Sequence, residues 1–254
     1  MLLLRVLWAE VLKTKRTAAL WMVVVAPASV VLLMVFLLSQ VPTMLLYRAS
    51  DLWMGLTRII LVFWAILMMP LYVTLATALL AGLEHAENQW KLLLARPVPR
   101  WTVYVAKLIV SVTMLCASAT LLVGGVLVAG TVLPVLQPEL RFRSPIPLFM
   151  IFEKASQVTA LAFLSLTIQH WMSLRWRPFA VAVGVGVVAT VVGYVMVVST
   201  RHGSALGIYF PWALPMTALA MPPLNIKPLL WLSGAVGLGV AAAGCLDFCR
   251  REVK

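Results

Sequence analysis

Long uncharged runs of apolar residues alternate with short charged segments along this chain. Residues 59–83 and 108–133, for example, contain no charged side chain. A helix needs about 20 apolar residues to cross the hydrocarbon layer of a bilayer, and both runs exceed that length. The alternation of apolar and polar positions that marks strands is missing, and helices then remain as the way to satisfy backbone groups in lipid. The pattern therefore predicts an all-α integral membrane protein.

Six such runs predict six transmembrane helices in a single transmembrane domain covering residues 1–254. The expected spans are about 18–38, 59–83, 104–133, 150–172, 178–200 and 228–246. Residues 203–227 are nearly as apolar, but Pro211, Pro215, Pro222 and Pro223 interrupt helices there. We expect this segment to form a re-entrant element on the outer face, because irregular backbone at membrane depth is tolerated where protein covers it.

The composition supports a membrane protein and explains the charge. Hydrophobic residues make up 63% of the chain and charged residues 11%, whereas soluble domains average about 45–50% apolar and about 25% charged. The net charge of +12 would also suit a nucleic-acid-binding protein. The cations lie in short loops at the predicted membrane edges, however, so the excess is interpreted as a determinant of topology.

The distribution of cations predicts the orientation of the spans. If both termini are cytoplasmic, the cytoplasmic segments carry 13 Lys and Arg residues and the outer segments carry six. Positive residues favour the cytoplasmic side of a membrane. We therefore expect a multi-pass protein with both termini in the cytoplasm.

The first 17 residues are predicted to form an amphipathic helix that lies in the membrane interface. Leu4, Leu7, Trp8, Val11 and Leu12 recur at helical spacing and form one apolar stripe. Cationic residues occupy the other side, and a basic helix with one Trp is typical of interfacial anchors. The candidate anchor residues are Arg5, Trp8, Lys13 and Arg16.

The segment EHAENQWKLLLARPVPR, residues 84–100, is unusually elaborate for a loop between two spans. Residues 84–95 suit a short helix, which Pro97 and Pro99 would end, and Pro99 could open the next helix. Lys107, just beyond, is expected to reach back to water by snorkelling. The residues alone leave two interpretations open: a stiff docking element for a soluble partner, or an ordinary loop helix whose charges set topology.

Candidate chemistry elsewhere is sparse. The chain has no G-K-[ST] phosphate-binding motif, and its three histidines have no metal-binding spacing such as H-E-x-x-H. We therefore expect no catalytic residues and no metal site, and the Glu84, His85 and Glu87 cluster is disfavoured as a metal site. Three polar residues of the fourth span could line a transport path or form hydrogen bonds between helices: Gln157, Gln169 and His170.

Two motifs resemble a known family. The first is A-E-x-x-K-x-K-R, which starts at Ala9, and the second is E-x-x-x-x-x-W-K-x-L-L-A-x-P-V-P-R-x-x-x-Y-x-A-K, which starts at Glu84 and ends at Lys107. They are similar to permease subunits of type-2 ABC exporters, closest to those of lantibiotic-immunity and bacitracin-type transporters. The resemblance implies six spans, an N-terminal interfacial helix, a cytoplasmic coupling helix and a re-entrant outer element.

The resemblance also implies partners and roles. The coupling helix would dock on a separate ABC ATPase subunit, present in two copies and binding ATP and Mg, while this chain would bind no cofactor itself. A second permease would complete a homodimer or heterodimer in the bacterial cytoplasmic (inner) membrane. The residues assigned to ATPase coupling are Glu84, Glu87, Trp90, Lys91, Pro97, Pro99 and Arg100.

Two functions are carried forward. The first is export of a hydrophobic or amphipathic substrate, such as an antimicrobial peptide, for which the outer aromatic residues Trp53, Tyr209 and Trp212 are suited. The second is a non-transporting membrane scaffold or assembly factor that recruits a soluble partner through residues 84–100.

Overall fold

A computed structural model gives the fold. It describes residues 2–15, 17–40, 51–85, 98–140, 142, 144–176, 178–200, 205–220 and 225–250, and within these residues the chain is helical and contains no strand. The prediction of an all-helical membrane protein is confirmed. The helices in the first half are α1 (Leu2–Thr14), α2 (Ala18–Gln40), α3 (Leu52–Phe63), α4 (Met69–His85) and α5 (Arg100–Leu136). A π-helical segment, Trp64–Met68, joins α3 to α4.

The second half contains α6 (Leu148–Leu161), α7 (Phe163–Arg175), α8 (Phe179–Thr200), a 3-10 turn (Ala205–Tyr209), α9 (Leu214–Ala220) and α10 (Ile226–Arg250). Among the residues that the structure describes, five continuous stretches are long and apolar enough to cross a membrane, and the bent pair α6–α7 raises the number to six if it forms one span. The side on which α5 begins is called the Arg100 side, and the side on which α6 begins is called the Leu148 side.

The continuous stretch from α3 to α4 lies at the centre of the bundle. It packs against α2, α5, α7 and α8, while α10 packs mainly on α7. The π segment ends two residues before Pro70. Proline cannot donate the hydrogen bond of a regular helix, and widening the preceding turn accommodates it.

The fourth span is bent, which the sequence analysis did not predict. An angle of 40° separates α6 from α7 at Ala162. Ser233 of α10 satisfies the backbone groups that the bend releases. Its hydroxyl donates to the carbonyl oxygens of Ala160 and Leu161, which lie 3.0 Å and 3.1 Å away. The same hydroxyl accepts from the Leu164 N–H at 3.3 Å. Broken backbone at membrane depth persists where a neighbouring side chain replaces the lost hydrogen bonds.

The segment between α8 and α10 lies against the core on the Leu148 side. Leu214 and Thr217 of α9 are fully buried, and α9 packs on α6, α3 and the π segment. The outer aromatic residues proposed for substrate contact do not share one surface, because Trp53 and Trp212 are 3% and 8% exposed whereas Tyr209 is 62% exposed. Trp53 instead packs on Phe142, with ring centroids 4.8 Å apart.

Candidate coupling site on the Arg100 side

A buried ion pair joins α1 to α5. The Lys107 Nζ lies 2.6 Å from Glu10 Oε2, and the Lys13 Nζ lies 2.7 Å from Glu10 Oε1. Lys107 also donates to the carbonyl oxygen of Leu80 in α4 at 3.3 Å. Because one ammonium group contacts all three elements, α1, α4 and α5 are held together at this point.

The electrostatics of this pair favour the charged form of Glu10. Burial by itself raises the pKa of the Glu10 carboxyl, but the charges and hydrogen bonds of Lys107 and Lys13 more than offset it, and the pKa lies below its usual range. Each carboxylate oxygen accepts from one ammonium group. A buried charge is tolerated inside an apolar protein when its polar atoms have hydrogen-bond partners in this way.

The expectation that Lys107 snorkels to water is wrong. Its side chain is 1% exposed, because Glu10 and the Leu80 carbonyl oxygen supply inside the protein what water would supply outside. The signal for this pair lay in the sequence: Glu10 and Lys107 are opposite charges, one in each of the two family-like motifs. Their pairing was missed because 97 positions separate them along the chain.

The predicted apolar stripe of α1 divides into two parts. Leu7 and Val11 pack against the core, whereas Leu4, Trp8 and Leu12 are exposed on the outer side of the helix. Exposed apolar residues on a helix beside a membrane bundle suit contact with lipid. Among the predicted anchor residues, Arg5 is exposed, Lys13 pairs with Glu10, and Arg16 lies outside the described residues.

The predicted coupling segment is described at its two ends. Glu84 lies in the last turn of α4, and α5 begins at Arg100, directly after Pro99. Arg100 donates to the carbonyl oxygen of Cys249 at 3.3 Å, which ties the start of α5 to the end of α10. Four predicted coupling residues lie outside the described residues: Glu87, Trp90, Lys91 and Pro97. Their role stays a prediction.

Asp247, a residue that the sequence analysis did not select, links α10 to α7 on the same side. Its carboxylate accepts from Trp171 Nε1 at 2.9 Å and lies 3.8 Å from Arg175 Nε. With the contact between Arg100 and Cys249, the described ends of α5, α7 and α10 are joined by polar contacts on the Arg100 side.

The three predicted path-lining residues do not lie together. Gln157 is half-buried and hydrogen-bonds Glu153 and Lys154 on its own helix. Gln169 is fully buried and donates to the Ala182 carbonyl oxygen of α8 at 2.7 Å. His170 is also buried, with its ring 4.9 Å from that of Tyr104. Within the described chain, Gln169 and His170 connect helices, and a path-lining role stays a prediction.

The fold and this site define a class: a multi-pass helical membrane protein whose N-terminal helix is fixed to the start of a span. A family model described as ABC-2 family transporter protein matches residues 6–193. The match covers most of the chain, and the chain belongs to this family of ABC transporter permeases. No curated protein and no solved structure matches the chain significantly.

Proposed function

We propose that this chain is the permease subunit of an ABC exporter, in which a separate ATPase subunit hydrolyses ATP with Mg and drives transport through the membrane. The observation that carries the proposal is the ion pair between Glu10 and Lys107. Lys107 lies two helical turns after Arg100, the last residue of the predicted coupling segment. A displacement of that segment would therefore reach α5, α1 and α4 together.

The remaining features of the proposal follow from the family and the amino-acid composition. An ABC-2 permease works with an ABC ATPase, and we propose two copies of it, with a second permease as a homodimer or heterodimer. We place the complex in a bacterial cytoplasmic membrane with both termini inside. We also propose a hydrophobic or amphipathic substrate, such as an antimicrobial peptide, as the resemblance to lantibiotic-immunity and bacitracin-type permeases implies.

The test is the double variant Glu84→Ala with Trp90→Ala, co-expressed with the partner ATPase and reconstituted in proteoliposomes. Loss of the docking contacts should release the ATPase, or leave ATP hydrolysis without transport, while the permease still inserts. The matched control is Glu139→Ala with Trp231→Ala, which removes the same residue types where both side chains are exposed and distant from the segment. Full coupled transport by the Glu84/Trp90 variant would contradict the proposal.

Co-purification separates this function from a scaffold. The exporter proposal expects an ATPase to be recovered with the chain in mild detergent. Recovery of the chain with a different soluble protein bound through residues 84–100, and no ATPase, would favour the scaffold.

A further inference from the structure

A pair of cysteines near the end of α10 has no assigned role. Cys245 and Cys249 are four positions apart in the sequence, and both are free and half-buried. Residues at this spacing on a helix face the same side, with about 5–6 Å between their Cβ atoms. The two thiol groups also interact with each other directly. Two sulfur ligands therefore stand side by side on one helix.

The helix keeps these thiols from closing a disulfide. A disulfide needs Cβ atoms about 3.5–4.5 Å apart, which is closer than the helical spacing of about 5–6 Å. The pair also lies on the Arg100 side, which the cation distribution predicts to be cytoplasmic, where thiols stay reduced. A metal ion can span the gap that a disulfide cannot. A metal–sulfur bond is about 2.3 Å long, so two opposite bonds place the sulfur atoms about 4.6 Å apart.

The surroundings of the pair favour an ion that takes two ligands. In the part of the chain that the structure describes, no group of three His, Cys, Asp or Glu side chains is arranged to hold a metal. Asp247 is two positions from each cysteine, which places it on another side of the helix, and its carboxylate accepts from Trp171 Nε1. Zinc normally takes four ligands. Soft thiolates instead select copper(I), an ion for which two thiolates in a line are a complete set.

The packing around the pair suits such a soft ion. Cys245 packs at the edge of a small apolar cluster formed by Ala81, Tyr104, Leu174 and Phe248. These side chains shield one side of the thiols from water and offer no carboxylate or imidazole that would compete for the ion. The pair lies in the last two turns of α10, where the membrane-crossing stretch ends. An ion can therefore reach the half-buried thiols from the aqueous side.

A neighbouring cation complements the charge of the complex. Thiols lose their protons when they bind a metal, so one copper(I) ion between two thiolates carries one net negative charge. The Arg100 guanidinium donates to the Cys249 carbonyl oxygen at 3.3 Å. Its positive charge thus stands beside the pair. An opposite charge close by favours an anionic complex at the edge of an apolar medium.

We propose that Cys245 and Cys249 bind one copper(I) ion between their sulfur atoms at the Arg100 end of α10. Each thiol releases its proton to the solvent, and neither the metal nor the sulfur atoms change oxidation state. The site does not depend on the proposed export function, because its two ligands belong to one helix of one chain.

The experiment titrates the full chain, purified in detergent under anaerobic conditions, with copper(I) held by a chromophoric chelator. The chain should withdraw one copper(I) ion per molecule. X-ray absorption at the copper edge should then show two sulfur ligands and no nitrogen or oxygen ligand. Sharing of one ion between two chains, or a copper ion with other types of ligand, would overturn the proposal.

Variants separate this pair from ordinary thiol affinity. Cys245→Ser and Cys249→Ser each leave a single thiol and should lose the bound copper(I), whereas Cys116→Ser, which removes an exposed cysteine of α5, should retain it. The matched control is Cys245→Ser with Ala243→Cys, because Ala243 is exposed and lies six positions from Cys249, on a different side of the helix. This control keeps the number of thiols and should not bind copper(I). Equal binding by the control and the wild type would show adventitious thiol binding only. Unfolding temperatures measured without copper check that the variants fold.

Discussion

Glu10 and Lys107 illustrate how single charged residues are tolerated inside an apolar bundle. Removing a charge from water costs several kcal/mol, and only close pairing with full hydrogen bonding repays that cost. Here both carboxylate oxygens and the buried ammonium group have partners. The pair therefore acts less as a source of net stability than as a constraint on how α1 sits against α5.

Removal of either partner should be strongly destabilising. Lys107→Met leaves Glu10 without its buried partner, and losses of about 3–5 kcal/mol are typical of such changes. The double variant Glu10→Leu with Lys107→Met should lose less than the sum of the single variants, because it leaves no unpaired charge. Thermal unfolding in detergent measures both effects.

Lys13→Ala is the control for that experiment. The Lys13 side chain is 34% exposed, so its contact with Glu10 resembles a surface ion pair more than a buried one. A loss no greater than ~1 kcal/mol is expected. Equal destabilisation by Lys13→Ala and Lys107→Met would contradict the importance of the buried contact.

The same pair predicts a pH dependence. The pKa of Glu10 is lower in the folded protein than its ordinary value of 4.5. Its contribution to stability is therefore fully present above that value and is lost as the pH falls through the folded pKa. The stability difference between the wild type and Glu10→Gln should be constant near neutral pH and shrink below about pH 4.5. Unfolding midpoints across this pH range provide the measurement. A stability difference that grows on acidification would contradict a lowered pKa of Glu10.

At the scale of the elements, two helices depart from regular geometry at places where their backbone is supported. The π segment precedes Pro70 in the stretch from α3 to α4, and the bend at Ala162 is bridged by Ser233. Both departures lie beside α9, which packs on α6 and on the π segment. The packing of α9 thus depends on the shape that these two irregular helices adopt.

Ser233→Ala should weaken the bend. The substitution leaves the carbonyl oxygens of Ala160 and Leu161 and the N–H of Leu164 without the hydroxyl. Unsatisfied buried groups cost about 1–3 kcal/mol. Thermal unfolding should show that loss, and the control Ser199→Ala should show almost none, because the exposed Ser199 hydroxyl bonds to the Val195 carbonyl oxygen of its own helix. Equal effects of the two substitutions would show that Ser233 does not stabilise the bend between α6 and α7.

The contact between α4 and α8 requires a glycine at one position. A Cβ atom at Gly186 would collide with the Thr74 side chain, whereas one at Gly184 would meet nothing within 4 Å. Gly186→Ala should therefore separate α8 from α4 and lower the unfolding temperature. Gly184→Ala should be neutral or slightly stabilising, since alanine favours a helix over glycine by about 1 kcal/mol. The opposite order of the two variants would show that this contact is not tight.

At the scale of the whole molecule, several polar contacts join helices on the Arg100 side. The ion pair of Glu10 and Lys107, the contact of Arg100 with Cys249, and the Asp247 cluster all lie on the Arg100 side. The cation distribution predicts that this side faces the cytoplasm. A soluble ATPase would therefore meet the surface at which the described helices are tied together.

Thiol labelling tests this orientation. Cys249 is half-buried on the Arg100 side, and Pro145 is exposed in the loop before α6. A membrane-impermeant maleimide applied to spheroplasts should label the Pro145→Cys variant and not the wild type. Permeabilisation should then expose Cys249 to the reagent. Labelling of the wild type in sealed spheroplasts would place the Arg100 side outside.

The sequence by itself determined the class of this protein. Runs such as residues 59–83 can be satisfied in lipid only as helices, because each backbone group finds its partner four residues away. That requirement is local, so the helices, the membrane location and the family-like motifs were all readable in the chain. The beginning of α5 directly after Pro99 is equally local, since proline fixes the backbone before a helix.

The tertiary structure decided which helices meet and which polar atoms pair. Three features bring together residues that are far apart in the chain: the contact of Glu10 with Lys107, the hydrogen bonds from Ser233 to the bend, and the packing that buries Trp53 and Trp212. Apolar periodicity cannot predict them, because in lipid both faces of a helix are apolar and the pattern does not distinguish the buried face from the exposed one. Close packing and the need to satisfy buried polar groups choose among the possible arrangements, and they act only once the helices are assembled.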